Sequence, residues 1–205
     1  MKGRKAGVMA AGAVGSWMLA CATPAAGAAA ASNTTAPQRA PPSALATPKP
    51  DDRLIDQDGQ RVSPAQLDGH WLLVYFGYAD CPDLCPASLM RMRQLLDRLG
   101  PAGNDLLPLF VSVNPRVDTP ARLKRFASQF HPRLRALTGS EAAIADAART
   151  FGVPVKRVAG KNLIDHGLFT YLADPSGRVV AILNPTQSVD ANLEQIRTRL
   201  GAAHR

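Results

Sequence analysis

A chain of 205 residues with 46% hydrophobic and 20% charged residues has room for one globular domain with a core of its own, plus a tail or targeting segment. Its net charge of +8 is unevenly spread: Lys2, Arg4, Lys5, Arg39 and Lys49 fall in residues 1–50, which hold no acid, so the rest carries only +3 (8 minus 5). That excludes the clustered basic face of a nucleic-acid binder, and basic pairs such as Arg91/Arg93 and Lys124/Arg125 read as solvated helix faces.

Met1–Lys5 carries three positive charges, Ala6–Ala20 is apolar and uncharged, and the small residues CATPAAGAAAAS come next. This is the layout of a secretory signal. About 15 apolar residues fall short of the roughly 20 that span a bilayer. Residues 1–22 therefore read as a signal peptide cut after Ala22, a lipoprotein signal with Cys21 lipidated, or an uncleaved membrane anchor. Each places the rest of the chain outside the cytoplasm, on the periplasmic side of a bacterial inner membrane and held there through the N-terminus. Residues 23–50 are rich in Ala, Pro, Ser and Thr and bury too little apolar surface to fold, so they read as a flexible tether. The domain is expected over residues 51–205.

Within it, Asp56-Gln57-Asp58-Gly59-Gln60 reads as a hairpin turn. Trp71–Gly77 is a continuous apolar run, as a buried central strand requires. Pro86 is expected to open a helix with Leu89, Met92, Leu95, Leu96 and Leu99 on one face, ended at Gly100-Pro101. Leu107–Val113 is a second buried strand. Thr119-Pro120 caps a helix bearing Leu123, Phe126 and Phe130, and Ser140-Glu141 begins another that ends at Gly152. Leu168–Ala173 and Arg178–Leu183 flank the turn Asp174-Pro175-Ser176-Gly177, and Val189–Leu200 is a closing helix. A β-α-β unit followed by a hairpin and a helix is the thioredoxin order. The expected fold is α/β and thioredoxin-like: a central mixed sheet flanked by helices, with an N-terminal hairpin and an inserted helix at Ser140–Phe151.

Cys81 and Cys85 form a C-x-x-x-C pair where the first long strand gives way to its helix. Open α/β sheets bind ligands at the carboxyl ends of their strands. A helix N-terminus beside Cys85 is expected to favour its thiolate, which is both a metal ligand and a nucleophile. Thioredoxin-type redox enzymes usually carry C-x-x-C. The extra residue lets both sulfurs address one centre while leaving them close enough for a disulfide. A plain structural disulfide is the simpler reading, but such a short loop gains little from closure.

Two thiolates want a third donor. His204 is in the tail, and His70 lies at the far end of the strand from its cysteines. His131 follows a helix and reads as a cap. His166 precedes the third strand, in a loop that packs beside the cysteine loop in a thioredoxin-like fold. Asp165 is a candidate to orient its imidazole, whereas Asp80 and Asp83 read as solvated. Two soft thiolates and one imidazole suit copper, as Cu(I) or Cu(II); a structural zinc usually wants a fourth protein ligand.

With these residues in view, the sequence resembles the Sco/SenC family. The similar stretches are LLVYFGYADCPDLCPASLMRM (72–92), FVSVNPRVDTPARLKRFASQFHPRLRALTGS (110–140) and LIDHGLFTYLADPSGRVV (163–180), with the Asp-x-x-Gly turn at Asp56–Gly59. The resemblance implies a thioredoxin fold and a copper site on Cys81, Cys85 and His166. It also implies delivery of copper to the binuclear copper centre of cytochrome c oxidase subunit II, or reduction of that centre's cysteines. Asn114 stands where the family usually has Asp, Arg116-Val117 replaces an acid-Arg pair, and Gly167 comes after the histidine where Ser or Ala is common.

The leading expectation is a copper metallochaperone whose partners are that subunit or another exported copper protein, together with a thiol reductant. The alternative is a thiol-disulfide oxidoreductase with Cys81 and Cys85 as its catalytic pair. A peroxidase on a related fold would want a lone activated cysteine, which the paired motif does not offer.

Overall fold

The computed structural model describes residues 54–159 and 163–203. The expectations for the signal, the tether, Cys21 and His204 lie outside the described residues.

Trp71–Gly77 forms β2, and all seven of its residues are buried. A strand apolar on both faces must be covered on both faces, and β2 accordingly sits inside a six-stranded mixed sheet. Taken in chain order, the strands of that sheet are β1 (Leu54–Asp56), β2, β3 (Leu106–Ser112), β4 (Arg135–Gly139), β7 (Thr170–Ala173) and β8 (Val179–Leu183). They lie side by side as β1-β4-β3-β2-β7-β8. β2, β3 and β4 run parallel; β1, β7 and β8 are antiparallel to their neighbours. β5 (Lys156–Arg157) and β6 (Ile164–Asp165) form a separate two-stranded ribbon.

The connecting helices are α1 (Leu84–Leu99), α2 (Pro120–Ala127), α3 (Glu141–Thr150) and α4 (Val189–Ala203). α1 buries Leu89, Met92, Leu95, Leu96 and Leu99, the stripe read from the 3.6-residue period, and packs against α4; α2 and α3 lie against β4. Thr119 caps α2 by accepting the Arg122 N–H, and Ser140 caps α3 by accepting the Ala143 N–H. The fold is thus the expected mixed α/β sheet with flanking helices, including the inserted helix α3.

Several local features differ from the sequence reading. The β5–β6 ribbon was not foreseen, and α2 ends at Ala127, so Phe130 lies beyond it. β4 was not foreseen, because the five residues of RALTG between two helices show no alternation that marks a strand. The Asp56–Gln60 turn returns only as far as one bridge, Ile55 to Arg61, and β1 spends its other pairing on β4. α1 begins at Leu84, so Pro86 is its third residue and not its first. Pro remains tolerated there because the first-turn N–H groups have no partner inside the helix.

The topology decides where the two halves of the motif meet. β7 is antiparallel to β2, with Tyr75 opposite Thr170. The start of β7 therefore lies at the end of β2, and the segment before β7 arrives beside the loop that succeeds β2.

Candidate metal site

The loop after β2 carries Cys81, and Cys85 is the second residue of α1. Both are buried free thiols. The β5–β6 ribbon leads into His166, which is also buried. The ligand atoms of Cys81, Cys85 and His166 all lie within 4.8 Å of one another. Among the described residues no other group of three or more His, Cys, Asp and Glu side chains converges in this way.

Each of the three side chains is held by a specific contact. The Cys85 N–H donates to the Cys81 sulfur at 3.4 Å, so this sulfur takes the place of an oxygen cap at the start of α1; the Asp83 side chain makes no cap bond. Gly77, at the end of β2, admits Cys85: a Cβ there would stand 2.9 Å from the Cys85 sulfur and 2.8 Å from the Phe110 ring. The His166 Nδ1 is 2.7 Å from the Gly167 carbonyl oxygen. A carbonyl only accepts, so Nδ1 carries the proton and Nε2 turns a lone pair toward the cysteines. Gly167 has φ +65°, a left-handed conformation that glycine takes without strain, which gives a backbone reason for the residue that departs from the family pattern.

Nε2 is 3.6 Å from the Cys85 sulfur, and the Tyr75 hydroxyl reaches the same sulfur at 3.7 Å. The imidazole also meets the rings of Tyr75 and Tyr78 edge-on, at 6.1 and 5.7 Å. These rings line the site, and the side chains of Cys81, Cys85 and His166 are all buried. Burial pushes the Cys85 thiol up to about 12, with a smaller raising contribution from the neighbouring Cys81; the Tyr78 backbone and the Tyr75 hydroxyl act the other way. The expectation of a Cys85 thiolate is therefore corrected for the metal-free state. The field of a helix N-terminus is modest, and desolvation of a fully buried sulfur exceeds it. Burial also lowers the His166 pKa, which keeps the imidazole in the neutral form that ligates a metal. A soft cation entering here must displace the Cys85 proton.

A buried carboxylate holds the cysteine loop from outside. Asp118 is fully buried; its Oδ2 accepts the Ala79 N–H at 3.0 Å and the Ser112 hydroxyl at 2.6 Å. Burial raises its pKa, partly offset by these hydrogen bonds and by Arg122. Arg122 lies 3.7 Å from Asp118 Oδ1 and also pairs with Asp80. Asn114 accepts from Arg157 at 2.9 Å, which ties the β5–β6 ribbon to the loop after β3. Sequence reasoning did not single out Asp118, Arg157, Tyr75 or Gly77. The hydrophobic run hid Tyr75 and Gly77, and the other two act across long sequence separations.

The remaining candidates fall elsewhere. His131 accepts the Arg133 N–H through Nδ1 at 3.1 Å; this is a local turn bond four residues beyond the end of α2, so His131 is not the helix cap it was read as. His70 is exposed at the opposite end of β2, and Asp165 and Asp83 are exposed. The imidazole is oriented by the Gly167 carbonyl, in the role considered for Asp165.

Comparison with known proteins identifies the family. The family model described as SCO1/SenC matches residues 43–201. An SCO2-like protein of Rickettsia conorii is 40% identical over 133 residues, taking in 62% of this chain and 65% of the relative; the chain thus spans just under two thirds of that relative's length. Among solved structures, Arabidopsis thaliana ScoI with copper bound is similar at a TM-score of 0.65 and 33% identity, covering 71% of this chain and 96% of that one. BsSco, described as a Sco-family cytochrome c oxidase assembly protein with a disulfide switch, is similar at a TM-score of 0.61 and 28% identity, covering 73% of this chain and 91% of that one. With a family match running from residue 43 to residue 201 and the fold of copper-bound relatives, the chain belongs to the SCO1/SenC family.

Proposed function

We propose that this domain carries one copper ion on Cys81, Cys85 and His166 and delivers it to the binuclear copper centre of cytochrome c oxidase during assembly. The observation that carries the reading is the convergence of two sulfurs and one imidazole nitrogen within 4.8 Å. Two soft donors hold Cu(I), and the neutral imidazole adds affinity for Cu(II). Copper bound in one similar relative, and a role in oxidase assembly for another, support the same reading. The ion is cargo, so a site of three protein donors, open to a fourth from a recipient, suits transfer better than a closed four-ligand cage.

A second reading is favoured by the pair itself: Cys81 and Cys85 act as a dithiol that reduces cysteines in exported copper proteins. The two roles share residues and differ in what leaves the site, an ion or two electrons. In either role the domain works on the periplasmic side of the membrane, held by its N-terminal segment. No helix among the described residues is long and apolar enough to cross a membrane. Cys21→Ser would release the protein if Cys21 is lipidated.

The deciding experiment titrates the reduced protein with Cu(II) and with Cu(I), beside metal analysis. One copper per chain with an intense thiolate-to-copper absorption band supports carriage. Reduced protein that takes up no copper, yet reduces a disulfide in a copper-centre peptide, supports the dithiol role alone.

A further inference from the structure

Tyr75 belongs to the central strand, yet its hydroxyl ends at the site. Its side chain is fully buried, with its ring 6.4 Å from that of Phe110 on the neighbouring strand. A phenylalanine would fill the same volume, and a buried hydroxyl without a partner is costly. Its partner is the Cys85 sulfur at 3.7 Å, which Gly77 lets approach the strand. The phenol O–H is the donor in this contact and the sulfur the acceptor.

We propose that Tyr75 is a positioning residue whose O–H donates to the Cys85 sulfur and thereby favours the reduced states of the site: the dithiol over the disulfide, and Cu(I) over Cu(II). The copper half of this statement rests on the function proposed above; the dithiol half does not. A hydrogen bond to a thiol or thiolate sulfur withdraws electron density from it, and such bonds tune metal-thiolate potentials. A disulfide sulfur is a poorer acceptor, so the bond is worth more in the reduced pair.

The test uses the full chain, Tyr75→Phe, and the same chain with 3-fluorotyrosine at position 75, which keeps the hydroxyl and makes it a stronger donor. Without copper, the Cys81–Cys85 disulfide is equilibrated with glutathione. Two glutathione thiols supply two electrons and two protons, the S–S bond breaks, two cysteine thiols form, and glutathione disulfide is released. Losing one net hydrogen bond in Tyr75→Phe is expected to lower the reduction constant about fivefold, a potential about 20 mV more negative; fluorotyrosine is expected to raise it. With Cu(II) added to the reduced protein, the thiolate-to-copper band of Tyr75→Phe is expected at lower energy. Equal constants in all three proteins, or a shift in the same direction for both variants, overturns the proposal, since packing alone would not order them by donor strength. Should Tyr75→Phe not fold, fluorotyrosine against the parent decides. Absence of copper uptake by the parent rejects the copper reading and leaves the glutathione result to judge Tyr75.

Discussion

His166 Nε2 and the Cys85 sulfur stand 3.6 Å apart although 81 positions separate them along the chain. The cause is the antiparallel pairing of β7 with β2, which returns the chain to the end of the strand from which the cysteine loop departs. The pair is preset for a metal: Nδ1 is engaged by the Gly167 carbonyl, so Nε2 is the only imidazole nitrogen left to bind.

His166→Ala is expected to shift the thiolate-to-copper band and lower Cu(II) affinity by more than about 100-fold, the upper end of what losing an outer hydrogen-bonding partner costs. Cu(I) affinity should fall less, because two thiolates hold the softer ion. His131→Ala should leave both affinities in place and cost about 0.5–1.5 kcal/mol of stability through its lost bond to Arg133. Parallel titrations and denaturant melts check this; equal copper losses in the two variants would mean that His166 is not the third ligand.

Gly77→Ala tests the close approach under Cys85. The added Cβ meets the Cys85 sulfur at 2.9 Å and the Phe110 ring at 2.8 Å. Neither is a flexible chain end, so the variant should lose about 1–3 kcal/mol and bind copper more weakly as α1 is pushed from the strand. Denaturant unfolding and copper titration read the two effects, and unchanged values in both would show that the site has slack there.

Oxidation of Cys81 and Cys85 to a disulfide should eliminate copper binding while the circular dichroism spectrum is retained. The bridge removes two of three donors, and the ligand form is the thiolate. The six-stranded sheet and its helices do not depend on a loop so short, whose closure contributes little. Copper retained after complete oxidation would remove the cysteines from the ligand set.

Acid stability should depend on two carboxylates outside the Cys81, Cys85 and His166 cluster. For Asp56, burial acts upward but is outweighed by hydrogen bonds from the Gln60 backbone and Arg135; for Asp174, burial is outweighed by bonds from Ser176 and Arg178. Both folded-state values lie below the ordinary 3.8. Their contribution is therefore fully present above that value and is lost as pH falls through it toward the folded-state values. Asp174→Asn should flatten the decline of stability below about pH 4, read by thermal melts across about pH 2–6. An unchanged acid limb would show that other groups carry it.

The apolar run Trp71–Gly77, the stripe of α1, the caps Thr119 and Ser140 and the C-x-x-x-C pair were legible because each is a local pattern of period, punctuation or spacing. The site triad was legible once those elements were placed in thioredoxin order. β4 was not, since five residues without alternation become a strand only when β3 and β1 offer their edges on either side.

By itself the sequence determined the element types, the donor chemistry and the resemblance, because these depend on residue identity within a few positions. Tertiary structure decided three things that no local pattern contains. It set the protonation of the site, where burial of the Cys85 sulfur overrides the helix terminus. It chose the group that orients His166, a backbone carbonyl and not Asp165. It brought Asp118 to the cysteine loop across 39 positions, and it turned the start of α1 back so that the Cys85 sulfur meets the Tyr75 hydroxyl of the preceding strand. Desolvation and long-range hydrogen bonding depend on which atoms surround a group after folding, and those atoms come from segments far apart in the chain.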